Sequence, residues 1–315
     1  MSNCLFCYRK LDNGQQDYHP TCTKKLFGTS QAPIVDFDLK ELEELAKQFV
    51  IQSKAITGVQ PKLSLDIEKP KNEPSRFTIV GFHGDFILKP PSAYFKELPE
   101  NEDMTMHLAR LVKIRTAEHG LIRLKSGDLA YITKRFDRNK GKKIAVEDFC
   151  QLSENLTEHK YRGSVEKIGK LIYTFTKNQG YEAQRLFELV LFCYLTGNAD
   201  MHLKNFSLIE NTFGEFELSP AYDLVNTAIV MPEDKEESAL NINSKKRKLN
   251  LDDFKVLATS LKINDKSLTA IYKRFEDVYP NWISWIENSF LSDDMKVSYI
   301  NTLNERFKKL NLTNQ

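Results

Sequence analysis

The spacing of apolar residues changes character once along this chain, and that change limits the folds open to it. Before about residue 136 most segments between turns alternate with the two-residue period of strands; beyond about 145 they repeat with the 3.6-residue period of helices. LSLDI (63–67), RFTIVGF (76–82) and DFILK (85–89) read as strands, with HGD (83–85) as a hairpin turn between the last two. LIRLK (121–125) and LAYITKRF (129–136) read as a second hairpin, turning at Ser126, Gly127 and Asp128. Two helical patterns, at 38–50 and 101–115, lie among these strands. In the second half, 181–196 is the most apolar helix and is expected to be buried; further helices fall at 251–262, 266–289 and 293–310. A strand pair, NFSLIE (205–210) and EFELSP (215–220), interrupts them. The expected class is α+β: a small Cys/His module at 1–35, a β-rich lobe at 36–136 and a mainly helical lobe at 137–315. A cleft between two lobes is a favourable place for a nucleotide.

Composition excludes several alternatives. With 41% hydrophobic residues, 20 Phe and 12 Tyr, the bulk of the chain can bury a core, which rules out disorder. The longest apolar stretch, around 186–196, is far short of the roughly 20 residues of a membrane helix. The N-terminus MSNCLFCYRK lacks the apolar segment of a signal peptide. A net charge of +2 does not mark the whole chain as a polyanion binder. Five cysteines, an odd number without an export signal, argue against a disulfide framework, and the cytoplasm is the expected compartment.

Four constellations carry phosphoryl-transfer chemistry. In GNADMHLKNFSL (197–208), Asp200 and Asn205 are five apart just after the buried helix, and Asp223 follows in SPAYDLVN (219–226). A carboxylate can orient an attacking hydroxyl, while an Asn and a second Asp hold magnesium on the phosphates. The competing reading makes Asp200 and Asn205 ordinary loop residues. SKAITGVQPKLSL (53–65) places a Gly, hydroxyls and a Lys before a strand, where backbone N–H groups can cradle phosphate; it is not a P-loop. In FILKPPS (86–92), Lys89 ends a strand, and Glu102 begins the next helix; a Lys and Glu so placed hold the α- and β-phosphates in kinases. YITKRFDRN (131–139) ends a strand at the lobe boundary, where Lys134, Arg135 and Phe136 could offer backbone groups to an adenine edge. The four occur in kinase order, which discriminates better than any one of them.

With that order, the sequence resembles the HipA-type toxin kinases from about residue 50 to about 310, most specifically in the 197–208 string. The resemblance implies a two-lobed, protein-kinase-like HipA fold and an ATP- and Mg²⁺-dependent Ser/Thr kinase. It implies Asp200 as catalytic base, Asn205 and Asp223 as magnesium ligands, Lys89 on the phosphates and Glu102 orienting Lys89. Thr57, Gly58, Val59, Gln60, Pro61 and Lys62 would cover the nucleotide; His202, Leu203, Lys204, Asn205, Tyr222 and Asp223 would line the phosphate and metal side. No HRD or DFG is present; Asn198-Ala199-Asp200 and Tyr222-Asp223-Leu224 stand in their places. With only about 35 residues before the core and QPKL after the loop glycine, the chain is similar to the short HipT branch of tripartite HipB–HipS–HipT systems. The implied partners are a HipB-type antitoxin, a HipS-like small protein and a protein substrate such as an aminoacyl-tRNA synthetase, with DNA contacted only through the antitoxin complex. Where HipT-like loops carry Ser-Ile-Ser, this chain has Ala55-Ile56-Thr57, so an autophosphorylation site falls to Thr57, with Ser53 second.

Two features lie outside that scheme. Cys4, Cys7, His19 and Cys22 form C-x2-C and H-x2-C pairs, a donor set suited to a closed tetrahedral Zn²⁺ site; reduced thiols in a small flap are the other reading. Cys150 and Cys193 fall in helical segments and read as core residues. SKKRKLN (244–250) is a short basic run, either a solvated loop or a DNA-backbone contact. Together these features support an alternative class, a zinc-containing nucleic-acid-binding regulator with an inactive kinase fold. A small-molecule kinase on the same fold is a third reading.

Overall fold

The computed structural model describes residues 3–42, 44, 61–71, 73–81, 83–139 and 141–312. The chain divides into two compact units: Met1–Asp103 with Ala117–Gly141, and Met104–Thr116 with Lys142–Gln315. The change therefore falls at 141–142, a few residues beyond Phe136, and the division also passes through the Leu98–Leu111 helix.

The first unit is built on a five-stranded antiparallel sheet. Its strands are β1 (Leu63–Glu68), β2 (Arg76–Ile79), β3 (Phe86–Lys89), β4 (His119–Arg123) and β5 (Leu129–Lys134), in the order β2-β1-β3-β5-β4. The β4–β5 hairpin forms at the expected turn, where Gly127 takes φ +93° and Leu124 N–H donates to Asp128 O. The hairpin expected at HGD does not form. Both β2 and β3 pair with β1, on opposite edges: Leu65 faces Ile79 on one side and Phe86 on the other. The intervening residues cross β1, and Gly84 makes the crossing. A Cβ built there would lie 2.3 Å from Leu65 O, and its N–H donates to Ser64 Oγ at 3.0 Å. Turn residues gave the break correctly, but the pairing partner was decided by burial of Leu63, Leu65, Phe86 and Leu88.

The N-terminal stretch is part of this unit rather than a separate module. The Pro20–Phe27 helix brings Phe27 edge-on to Phe77 (5.7 Å between ring centres), within 6.1 Å of Phe86. Both sheet edges are covered from the same stretch: Ile34 bonds Ser75 and Phe77 beside β2, and Leu5 and Tyr18 bond Leu121 of β4.

The second unit is mainly helical. Its Gln179–Leu195 helix is buried along most of its length, as its high apolar content predicts. The later helices Leu251–Ser260, Asp265–Glu287 and Asp293–Lys309 match their expected positions. Cys193 is buried in the long helix, and Cys150 is buried too. The expected strand pair forms as Ser207–Glu210 with Phe216–Leu218, and gains a third strand, Val146–Asp148, too short to read from sequence. Glu182 and Arg185 tie this sheet to the long helix: Leu218 N–H donates to Glu182 Oε2 at 2.9 Å, and Arg185 donates to Leu218 O at 2.7 Å.

Gly84→Ala should cost about 1–3 kcal/mol of stability, because the new methyl meets backbone that can move only with β1. A denaturant midpoint unchanged from wild type would contradict the crossover.

Candidate functional site

In the first unit, β3 ends at Lys89 and the Leu98–Leu111 helix presents Glu102. Lys89 Nζ and Glu102 Oε1 are 2.5 Å apart, at 4% and 3% side-chain exposure. The β3–β5 register places Tyr131 opposite Lys89, with the ammonium 5.3 Å from the ring centre. His119 of β4 stacks on Tyr131 at 6.0 Å, and its Nδ1 lies 2.6 Å from Asp103, the residue after Glu102. The sequence pointed to Lys89 and Glu102; it offered no signal for Tyr131, His119 or Asp103, which strand pairing brings in from elsewhere. Pro61 is half-buried and Lys62 exposed just before β1. Ser53, Thr57, Gly58, Val59 and Gln60 lie outside the described residues.

At the end of β5, Lys134 N–H donates to Glu118 O and Arg135 N–H to Asp85 O. These two N–H groups serve the sheet. Arg135 grips Asp137 with two bonds, at 2.9 and 2.7 Å. Phe136 is half-buried between them.

In the second unit, the Gln179–Leu195 helix ends at a turn in which Gly197 takes φ +71°. A Cβ there would lie 2.7 Å from Asn226 Oδ1 and 2.7 Å from the Thr302 methyl, so only glycine fits. The loop from 198 to 206 is held by its own polar groups. Asn198 Oδ1 accepts from Asp200 N–H, Asp200 O accepts from His202 N–H, and Asn205 Nδ2 donates to Asp200 O at 3.1 Å. Asn205 thus spends its amide nitrogen on the loop, and its oxygen is a hard donor of the kind that could hold a divalent cation. Tyr222 closes the arrangement: its hydroxyl donates to Lys204 O at 2.9 Å and lies 2.5 Å from Ser207 Oγ, and burial raises its pKa above the ordinary phenol value. Asp223 follows directly, with φ +59°, a left-handed backbone that non-glycine residues adopt sparingly. Buried His202 packs edge-on against Tyr161, and Leu203 is fully buried. Lys204 Nζ approaches Asp148 at 3.8 Å.

One partner was not foreseen. Tyr161 Oη donates to Asp200 Oδ1 at 2.7 Å from 39 positions earlier in the chain. The bond holds one of the two carboxylate oxygens of Asp200 in place. Burial and this bond also hold the Tyr161 phenol above its ordinary pKa, so the group remains a donor at neutral pH.

At the N-terminus, one ligand atom from each of Cys4, Cys7, His19 and Cys22 lies within 4.8 Å of the others. The basic run is partly neutralised: Lys245 pairs with buried Asp253 at 2.8 Å, and Lys246 lies 3.5 Å from Glu236. No helix among the described residues is long and apolar enough to cross a membrane.

A Lys on an antiparallel sheet paired with a helix Glu, and a second unit carrying an Asp–Asn loop and a left-handed Asp, define a kinase-like class of fold. Solved structures share it. The Shewanella oneidensis toxin–antitoxin complex of HipA, HipB and operator DNA contains a chain similar at TM-score 0.68 and 21% identity, over 85% of this chain and 71% of that one. The Helicobacter pylori proinflammatory kinase CtkA is similar at TM-score 0.52 and 17% identity, over 78% and 93%. Residues 54–282 match the HipA-like C-terminal domain, and the chain belongs to that family. Relatives include a Sinorhizobium fredii protein named "Putative kinase Y4dM", 32% identical over 226 residues, and a Haemophilus influenzae "Putative kinase", 31% identical over 189. They align with 67% and 56% of this chain, which spans about half the length of each (54%).

Two predictions need no assumption about activity. Lys89→Met should destabilise the protein by about 3–5 kcal/mol, because it strands the Glu102 carboxylate in a buried site; a thermal or denaturant scan close to wild type would contradict the pairing. Burial, reinforced by Glu97, Asp103 and Asp128, raises Glu100 from 4.5 to about 7. The folded state thus holds this proton more tightly than the unfolded chain, so the stabilisation is full below about pH 4.5 and is lost as pH rises through about 7. Glu100→Gln should therefore be more stable than wild type at pH 8 and about equal at pH 5; the same difference at both pH values would count against the shift.

Proposed function

We propose that the protein is an ATP-dependent kinase that phosphorylates a Ser or Thr hydroxyl of another protein, as the toxin of a bacterial toxin–antitoxin system. The observation that carries the reading is the Lys89–Glu102 pair. Burying two charges costs several kcal/mol each, a cost the fold bears here, and a Lys so held is poised for the α- and β-phosphates of a nucleotide. Membership of the HipA-like family and relatives named as kinases support it.

In this reading Asp200, with one oxygen occupied by Tyr161, orients the substrate hydroxyl and accepts its proton. The hydroxyl oxygen bonds to the γ-phosphorus as the bond to the β–γ bridging oxygen breaks, and ADP leaves with that oxygen. Asn205 and Asp223 are the residues that would hold magnesium; their hard oxygen donors suit it, and the bound ion would neutralise charge on the phosphates. The substrate is proposed, from family resemblance, to be an aminoacyl-tRNA synthetase, and the partners a HipB-type antitoxin and a HipS-like protein. Thr57 is proposed as an autophosphorylation site, where a phosphate would repel the nucleotide. The competing regulator reading leans on the Cys/His cluster and on the basic run, two of whose cations already face carboxylates.

The test is transfer of labelled phosphate from ATP with magnesium to proteins of a bacterial lysate. Asp200→Asn should bind ATP as wild type does and lose transfer by a factor of about 10²–10⁴. Asp223→Asn should instead weaken magnesium-dependent nucleotide binding. Transfer undiminished in the Asp200 variant would refute the assignment of the base.

A further inference from the structure

The N-terminal cysteines and histidine serve no step of phosphoryl transfer, yet their arrangement is more specific than a chance cluster. Cys4 and Cys7 lie on a tight knuckle: Cys4 N–H donates to Arg9 O, Tyr8 N–H donates to Cys4 O, and Tyr8 takes φ +61°. His19 immediately precedes the Pro20–Phe27 helix, and Cys22 lies in its first turn. His19 Nδ1 is 3.4 Å from Cys7 Sγ and 3.8 Å from Cys22 Sγ. In a tetrahedral zinc site, nitrogen and sulfur ligands lie about 3.6 Å apart. The other ring nitrogen, Nε2, lies 3.0 Å from Lys10 O, the second contact that fixes a metal-binding tautomer and turns Nδ1 toward the thiols. All three cysteines are free thiols in the structure.

We propose that Cys4, Cys7, His19 and Cys22 bind one structural zinc ion, and that this metal fastens the edge of the sheet to the start of the helix bearing Glu102. The ligands surround residues that make both attachments. Leu5 O accepts from Leu121 N–H, and Tyr18 Oη donates to Leu121 O, so both backbone groups of one residue of edge strand β4 are bonded by the knuckle region. Gly120 permits the approach, since a Cβ there would meet Leu26 at 3.0 Å and Leu5 O at 3.5 Å. Tyr8, next to Cys7, donates to Asp103 Oδ2 at 2.8 Å, and Asp103 Oδ1 lies 2.6 Å from His119 Nδ1. Asp103 is fully buried and follows Glu102. Four ligands complete the tetrahedron, so the ion holds the fold and offers no open position for catalysis.

The test uses the full-length chain, purified without chelator. Elemental analysis should find about one zinc per chain. Replacement by Co²⁺ should give the visible bands and thiolate charge transfer of a tetrahedral site. Cys4→Ser/Cys7→Ser should lose the metal, and amide hydrogen exchange should accelerate at 119–123 and 98–103 while the Gln179–Leu195 helix keeps its protection. If that variant does not accumulate folded, stripping wild type with a chelator and restoring zinc gives the same comparison. No bound zinc and no cobalt spectrum would overturn the site. Metal loss without faster exchange at Leu121 and Asp103 would overturn the fastening role. Neither readout depends on phosphoryl transfer, so the inference can fail while the kinase reading stands.

Discussion

The buried ion pair between Lys89 and Glu102 is the constraint around which the first unit is arranged. Two charges removed from water cost several kcal/mol each, and a pair of this kind contributes less to stability than an apolar pair of the same volume. Retaining it demands that both side chains be held closely. Lys89 is fixed by the β3–β5 register and by Tyr131 beneath it; Glu102 is fixed by a helix whose next residue, Asp103, is gripped by Tyr8 and His119. The covered edge of β4 and the N-terminal knuckle therefore have a role beyond filling space: they make rigid the scaffold on which the pair sits.

The second unit solves a different problem, which is to expose carboxylates without letting them wander. Its loop follows a helix that is mostly buried, so the anchor is stiff. The loop then satisfies its own backbone through Asn198, Asn205 and Tyr222. Gly197 and Asp223 take the left-handed backbone conformations that this path requires. Tyr161 reaches in from a separate turn to occupy one oxygen of Asp200, which sets the direction of the other.

What the sequence revealed follows from how local each signal is. The period of the long helices, the turn at Gly127, the Lys89–Glu102 pair and the Asp200–Asn205 spacing are short-range patterns, and all were legible. So was the C-x2-C and H-x2-C spacing, because a cluster of four donors on two short segments is written in two local pieces. The failures are long-range. HGD contains good turn residues, but whether β2 and β3 pair depends on β1 lying between them, which no local window records. Tyr131, Asp103, His119, Tyr8 and Tyr161 reach their partners through strand register and tertiary packing, and nothing in their own neighbourhoods marks them.

The account stands most directly on why a charge pair is buried at Lys89 and Glu102, and a double variant, Lys89→Met/Glu102→Leu, separates the two explanations. If the pair exists for a nucleotide, replacing both charges with apolar groups of similar size should leave unfolding stability equal to or above wild type. Magnesium-dependent ATP affinity measured by calorimetry should then fall by at least tenfold, about 1.4 kcal/mol. A variant that unfolds readily, or that binds ATP as tightly as wild type, would show that the pair serves the fold and would contradict the account.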